Sequence, residues 1–403
     1  MSDFAEKKIR HVYRFPPCPS YDIEGTESWL GSMAEQGLFL VKDGFFAGFA
    51  TFERGESRRM RYRLEAAPKP GDDAKAREAV ELSRELGWEY IAFYGRYHIY
   101  RTESEHTVEL NTDPRVQALA LNSIRRNEWA NVLVTLLWLG VFSFLYLRGS
   151  VLLSAIGIGS WLFLLGVLIV LWSVCSSVAS LVYLCRLHRR LNAGRAPDHG
   201  KNWRRRSRRY RAGVLLFLVL AAVWGVGIVH AWSEDASDAN VRQFTEVPAD
   251  LPFPTIADLR PDGDFSLTDL GHSTNTVKTT SDWLAPVVIQ LRENGAIRLP
   301  HGGQLNGGLQ VDYYETAAPW IARELAREHQ ARDRSARHYS EIGLPDLGVD
   351  EAAAYDSLFP VVLLRQGNRV LRVQFYQTSE SYTMPVAEWA QVFAEHLKAQ
   401  GGV

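Results

Sequence analysis

Cysteine is scarce in this chain of 403 residues, with only Cys18, Cys175 and Cys185. None stands in CxxC spacing, so neither a zinc site nor a thiol-redox motif has support. The stretch from Ser233 onward has no cysteine, so it must fold without disulfides and carries no mark of an oxidising compartment. There is no HExxH, no GxSxG and no glycine-rich phosphate loop after a strand. His272, His301, His329, His338 and His396 are scattered outside any metal spacing. Net charge is nearly absent as well: 45 Lys and Arg stand against 46 Asp and Glu. That balance excludes a generally basic nucleic-acid binder and an acidic disordered tail. No catalytic, metal-binding or cofactor-binding residue is assigned, and no cofactor is implied.

The even balance hides segregation. Residues 1–128 carry a net charge of −2, residues 129–232 of +11 and residues 233–403 of −10. Charge is missing altogether from three stretches: Trp129–Leu147 of 19 residues, Val151–Cys185 of 35, and Ala212–Trp232 of 21. About 20 apolar residues span a bilayer core of ~30 Å. A soluble helix would show a polar stripe, and these show none. Three transmembrane helices are expected, at about 129–147, 160–182 and 212–232, the second entered through Gly157-Ile158-Gly159-Ser160. The chain opens on charged residues (Asp3, Glu6, Lys7, Lys8), so a cleaved signal peptide is not expected.

Positive charge sets the orientation. Loop 186–211 carries 11 Lys and Arg against one acid, Asp198. Arg186, Arg189, Arg190, Lys201, Arg204, Arg205, Arg206, Arg208, Arg209 and Arg211 are the topology residues we single out, with Trp203 as an interfacial anchor. Short loops this basic stay cytoplasmic and meet anionic lipid heads. The blander lipid reading outweighs a nucleic-acid patch. This puts the N-terminus on the cytoplasmic side of the membrane and residues 233–403 outside it.

The fold class expected is a multi-domain α+β membrane protein. A cytoplasmic module covers 1–110, a juxtamembrane helix 111–128, the membrane domain 129–232, a linker 233–254, and an extracytoplasmic α+β domain 255–403. In the first module, alternation at Arg10–Phe15 reads as a strand and Trp29, Leu30, Met33 and Ala34 as a helix face. The order of elements is close to a split-βαβ, ferredoxin-like plan. A weak repeat relates Ala34-Glu35-Gln36-Gly37-Leu38 to Arg84-Glu85-Leu86-Gly87-Trp88: in both, a helix stops at glycine and a strand begins. Trp29, Trp88, Tyr90, Tyr97 and Tyr100, with Phe93, read first as sheet core and second as a partner or ligand surface.

Trp29-Leu30, Met33-Ala34, Gly37, Leu40-Val41, Phe49 to Glu53, Gly55, Tyr62-Arg63-Leu64, Gly87-Trp88-Glu89 and the closing aromatic hairpin carry a resemblance. Over about residues 9–103 the chain resembles the bacterial family catalogued as domain of unknown function 2812. The resemblance implies a cytoplasmic module on a membrane anchor, often encoded beside a PadR-type repressor, in an envelope-stress or drug-responsive setting. It implies no reaction. This sequence has more Arg and Ala and less Lys than the usual member.

In the last domain, Trp283–Leu291 and Leu309–Tyr314 read as strands, and Phe359–Leu364 with Val370–Gln377 as a hairpin. Helices are expected at about Pro319–Arg337, with Arg323, Glu324, Arg327 and Glu328 on its solvated side, and from Pro385 onward. Asp312, Glu315 and Glu324 read as ordinary surface acids. The function expected is a membrane sensory or regulatory protein with a protein partner of unknown identity. The alternatives are an accessory subunit of a transporter or, with less support, a membrane-anchored enzyme.

Overall fold

The computed structural model describes residues 11–67, 73–110, 113–144, 150–236, 240–268, 275–300, 302–335, 340–356, 359–378 and 383–400. In chain order the elements are β1 (His11–Arg14), α1 (Ile23–Ala34), β2 (Leu38–Phe46), β3 (Phe49–Arg54), β4 (Arg61–Ala66), α2 (Asp73–Glu85), β5 (Glu89–Tyr94) and β6 (Tyr97–Thr102). There follow α3 (Pro114–Phe142), α4 (Val151–Ile158), α5 (Ser160–Asn192) and α6 (Arg204–Ala236). The remainder comprises β7 (Val241–Gln243), α7 (Ile256–Leu259), β8 (Asp264–Leu267), β9 (Thr276–Thr280), β10 (Val287–Arg298), β11 (Gln304–Glu315) and α8 (Pro319–Arg334). The chain closes with β12 (Ser340–Ile342), β13 (Glu351–Asp356), β14 (Val361–Gln366), β15 (Arg369–Gln377) and α9 (Val386–Ala399). The class is mixed α+β. Two compact units form: Met1–Gly140 with Ile169–Ala221, and Val141–Leu168 with Ala222–Val403.

The first unit holds two three-stranded antiparallel sheets in place of the single ferredoxin-like sheet the sequence suggests. Their strand orders are β1-β3-β2 and β4-β6-β5, so each half of the module is the same βαββ unit. The weak sequence repeat is the visible trace of this duplication. Gly37 and Gly87 end the two helices with φ of 73° and 88°, a left-handed conformation that glycine alone adopts without strain. The equivalent edge strands β2 and β5 lie against each other. Each carries an irregularity, between Leu40 and Phe45 and between Tyr90 and Ala92. A bulge interrupts a ladder and bends its strand, which accounts for two sheets instead of one.

The core of this unit spans both halves. Trp29 packs edge-on to Phe52 with centroids 5.6 Å apart, beside Leu30, Leu40, Tyr62 and Ile99. Helices complete it: Ala118, Leu121 and Ile124 of α3 and Leu184, Leu187 and Leu191 of α5 belong to the same buried cluster.

Among the described residues, two helices are long and apolar enough to cross a membrane, over Ser160–Asn192 and Ser207–Ser233. This is one fewer than the sequence suggests. The first expected stretch begins inside α3, whose described apolar part, 129–142, has 14 residues after Arg125, Arg126 and Glu128. At ~1.5 Å per residue that is about 21 Å, short of a ~30 Å core; residues 145–149 of the expected span lie outside the described residues. The second span begins where expected. Gly159, at φ 98°, separates α4 from Ser160 at the start of α5. Large apolar side chains such as Leu137, Trp138, Leu171, Leu218 and Val226 are exposed along these helices. An apolar surface of that extent calls for a covering.

The second unit is built on a nine-stranded antiparallel sheet, ordered β12-β13-β14-β15-β11-β10-β9-β7, with β8 pairing β10. Because side chains alternate along a strand, the sheet has two different faces. One is apolar: Leu291, Val311, Val373 and Phe375 pack there against Trp389, Phe393 and Leu397 of α9 and Ile256 and Leu259 of α7. The other face changes character along the strands, and that change makes the site described next.

Candidate ligand pocket on the second sheet face

The register sets out the second face row by row. Val288, Tyr314 and Val370 face each other across β10, β11 and β15. Two residues along stand Gln290, Asp312 and Arg372, and two further Arg292, Gln310 and Gln374. The next row is Asn294, Gly308 and Tyr376. A Cβ on Gly308 would lie 2.1 Å from the Tyr376 ring, so glycine lets that ring lie across β11. The tyrosine hydroxyl then donates to Asn294 Oδ1 at 2.6 Å.

Helix α8 covers this face and changes with it. Ala322, Leu325 and Ala326 pack on Val288, Tyr314, Leu363 and Val370. One turn on, the same helical stripe brings His329 over the sheet beside Tyr314, ring centroids 5.4 Å apart. The following turn brings Arg332 and Asp333. The apolar stripe of the helix and the apolar row of the sheet thus end together. Beyond them lies a cavity of about 290 Å³ lined by Gln290, Gln310, Asp312, Tyr314, His329, Arg332, Arg372 and Gln374.

Its electrostatics follow from burial. Arg372 donates to Asp333 from Nε at 3.1 Å and from Nη2 at 2.8 Å, and to Asp312 from Nη1 at 3.4 Å. Burial pushes the Asp312 carboxyl above the usual range, against the pull of Arg372, Arg332 and Arg292. Burial also drives His329 down to about 3, with Arg372 and Arg332 adding to the effect, so its imidazole is neutral at physiological pH. A neutral imidazole has one N–H donor and one acceptor nitrogen. His329 is 2% exposed, and among the described residues neither of its nitrogens has a hydrogen-bond partner. A buried polar group left unsatisfied costs about 1–3 kcal/mol.

The residue before His329 does something different. Glu328 is buried, and its carboxylate oxygens accept from the amides of Leu152 and Leu153, each at 2.9 Å. It caps α4, whose Leu152, Leu153 and Ile156 pack on the α8 cluster. Helical spacing alone assigns Glu328 to the solvated side; α4, lying over it, buries it instead. Glu324 does pair with Arg327 on the surface, at 3.0 Å. Asp282, before β10, accepts from Ser160 N at 2.8 Å and Ser160 Oγ at 2.5 Å, capping α5.

The residues singled out from the sequence lie elsewhere. Trp29, Trp88, Tyr97 and Tyr100 are buried as sheet core, and Tyr90 alone of the five is half-exposed, its ring edge-on to His98 and Tyr100. Trp88 spends its indole N–H on Val108 O at 2.8 Å. They therefore form no open surface as a group. Of the basic loop, Arg186, Arg189, Arg204, Arg208, Arg209 and Arg211 are exposed, and the side chains of Arg205 and Arg206 lie outside the described residues. Arg211 also donates to Phe15 O at 3.0 Å. Arg204 lies over the half-buried Trp203 ring, 5.6 Å from its centroid.

Lys201, partly buried, and the exposed Arg190 pair with buried acids instead. Asp22 at the N-cap of α1, Glu24 in its first turn and Glu27 just beyond it are all buried. Lys201 meets Asp22 at 2.7 Å, Arg190 meets Glu24 at 3.1 Å, and His199 Nδ1 meets Glu27 at 2.5 Å. The Asp198 amide also donates to Glu24. Part of the basic loop thus balances an acidic helix start within its own unit.

Residues 22–134 match the family described as "Protein of unknown function (DUF2812)". This segment is similar to that family. The match runs beyond the resemblance read from sequence and takes in the first part of α3, as the burial of Ala118, Leu121 and Ile124 in the DUF2812 core explains. No curated protein and no solved structure matches the chain. The pocket lies outside the DUF2812 segment. No sequence motif marks it, and the only signal that could have found it is the polar row Arg372, Gln374, Tyr376 on a strand whose other side is wholly apolar.

Proposed function

We propose that this is a membrane sensory or regulatory protein of bacteria, with the DUF2812 module in the cytoplasm and the C-terminal domain outside. The observation that carries the proposal is the pair Glu328 and His329. Adjacent on α8, one holds the start of α4 and the other lines the polar pocket. A ligand that engages His329 works on the helix that caps the chain leading into α5. That helix is continuous from Ser160 to Asn192, and its last turns supply Leu184, Leu187 and Leu191 to the DUF2812 core. The exposed apolar surface of α3, α5 and α6 supports burial in lipid, and the exposed arginines of loop 186–211 support a cytoplasmic loop.

The test is labelling of single cysteines on intact cells, in a chain whose three native cysteines are changed to alanine. Gly343→Cys stands on an exposed position where a Cβ meets nothing within 4 Å. Glu56→Cys stands on the exposed segment after β3. A membrane-impermeant maleimide should label position 343 on intact cells and position 56 only after lysis. The reverse pattern, or equal labelling, refutes the arrangement.

A further inference from the structure

The pocket restricts what it can bind, and we infer that it takes a small hydroxylated monocarboxylate, a hydroxy acid or sugar acid. The inference rests on the sensory reading for its purpose, and on the lining alone for its chemistry. Arg372 is committed to Asp333 and Asp312, which leaves that group with no positive charge to spare. Arg332 lines the same cavity, is exposed and makes no ion pair among the described residues. Among the described residues it is the cation lining the cavity that has no ion pair, Arg292 standing exposed in the next row of the same face outside the lining, and a guanidinium fork matches a carboxylate in two parallel hydrogen bonds. Asp312 and Asp333 oppose a second negative charge, which disfavours a phosphate dianion, while Arg332 and Arg372 oppose a cation.

The rest of the ligand is set by neutral groups. The neutral imidazole of His329 and the amides of Gln310 and Gln374, unpaired among the described residues, each offer a donor and an acceptor. Hydroxyl groups, which both donate and accept, satisfy such a set; methylenes do not. Almost nothing apolar lines the cavity, so a fatty acid would find no packing there. At about 290 Å³ the space lies at the lower end for ligand pockets.

The experiment is calorimetric titration of the full chain in detergent with three matched probes: gluconate, the neutral polyol glucitol, and the amine glucamine. Gluconate should bind at least ten-fold tighter than glucitol, and glucamine should not bind. Arg332→Gln should abolish that preference; the residue is exposed and unpaired, so the melting temperature should not move. Gln374→Leu, by contrast, should weaken gluconate and glucitol alike. Equal affinity for gluconate and glucitol, an unchanged preference in Arg332→Gln, or no binding of gluconate overturns the assignment. The first two outcomes would leave the cavity a ligand site of another class, whereas failure of the cysteine-labelling pattern would remove the sensory reading and leave the binding result standing.

Discussion

Changing Glu328 to glutamine isolates the contact between α8 and α4. Each carboxylate oxygen takes one backbone N–H at 2.9 Å, from Leu152 and from Leu153. Glutamine keeps one acceptor, turns an NH₂ toward the other amide and removes the negative charge. One lost hydrogen bond is worth about 0.5–1.5 kcal/mol, and a charge at a helix N-terminus about 0.3–1 kcal/mol. The cap should weaken by about 1–2 kcal/mol, which corresponds to roughly 5–30-fold in a local opening equilibrium. An eight-residue helix has little stability of its own, so the effect should appear in α4 first. Hydrogen exchange of the full chain in detergent should therefore show residues 152–155 exchanging about 5–30-fold faster. The core strands β11 and β15 should keep their rates. Glu324→Gln, on the exposed side of α8, is the control and should change nothing in α4. If α4 exchange stays within two-fold of the parent, Glu328 does not hold this helix and the coupling argument fails.

Lys201→Met should leave Asp22 and Glu24 short of their cation and destabilise the first unit by about 1–3 kcal/mol, well below the full cost of breaking a wholly buried pair because Lys201 is partly solvated. A thermal melt no different from that of Arg204→Gln, an exposed neighbour, would count against this. Glu293, buried behind the sheet, accepts from Ile256 N at 3.0 Å, and burial raises its carboxyl to about 7. An acid raised in the folded state favours folding while protonated, so its contribution is full below its ordinary value of 4.5 and is lost as pH rises through 7. Glu293→Gln should then gain on the parent as pH goes from 5 to 8, by up to ~3 kcal/mol; parallel stability curves across that range would refute the shift.

What the sequence discloses is mostly one-dimensional. The alternation of Leu371, Val373 and Phe375 against Arg372, Gln374 and Tyr376 is legible, and the structure buries the first set and leaves the second partly exposed. The stop at Gly37 and its echo at Gly87 are legible too, since a glycine after the last helical turn suits the positive φ found at both. What cannot be read is which strands pair. Asp312 looks like a surface acid until β10 sets Gln290 beside it and β15 sets Arg372 on its other side. Glu328 looks solvated for the same reason: its partners are backbone amides 175 and 176 residues away, which no spacing encodes. The aromatics read first as core, and Trp88 and Tyr100 are buried as that reading has it. Trp88 and Tyr100 are large and clustered, which suits a binding surface as well as a core, and only burial tells the two apart.

The two carboxylates that hold helix starts in the second unit answer to different parts of it. Asp282 stands at the entry to β10 and accepts from the Leu284 amide as well as from Ser160, so the start of α5 is fixed to the sheet. Glu328 stands on α8, so the start of α4 is fixed to a helix that lies on that sheet. Between the two capped helices is Gly159, at φ 98°, where any other residue would be strained. A rigid connection would have no use for two separate anchors and a glycine between them. If α8 shifts against the sheet, α4 is carried with it while α5 stays, and the change in angle is taken up at Gly159. The groups that resist or drive such a shift are those of the cavity: the Arg372 bond to Asp333 joins sheet to helix, and the unpaired His329 supplies no counterpart to it. On the sensory reading proposed above, a ligand bonding His329 and Gln374 together would add a second polar tie between sheet and helix, beside the apolar packing of Ala322, Leu325 and Ala326.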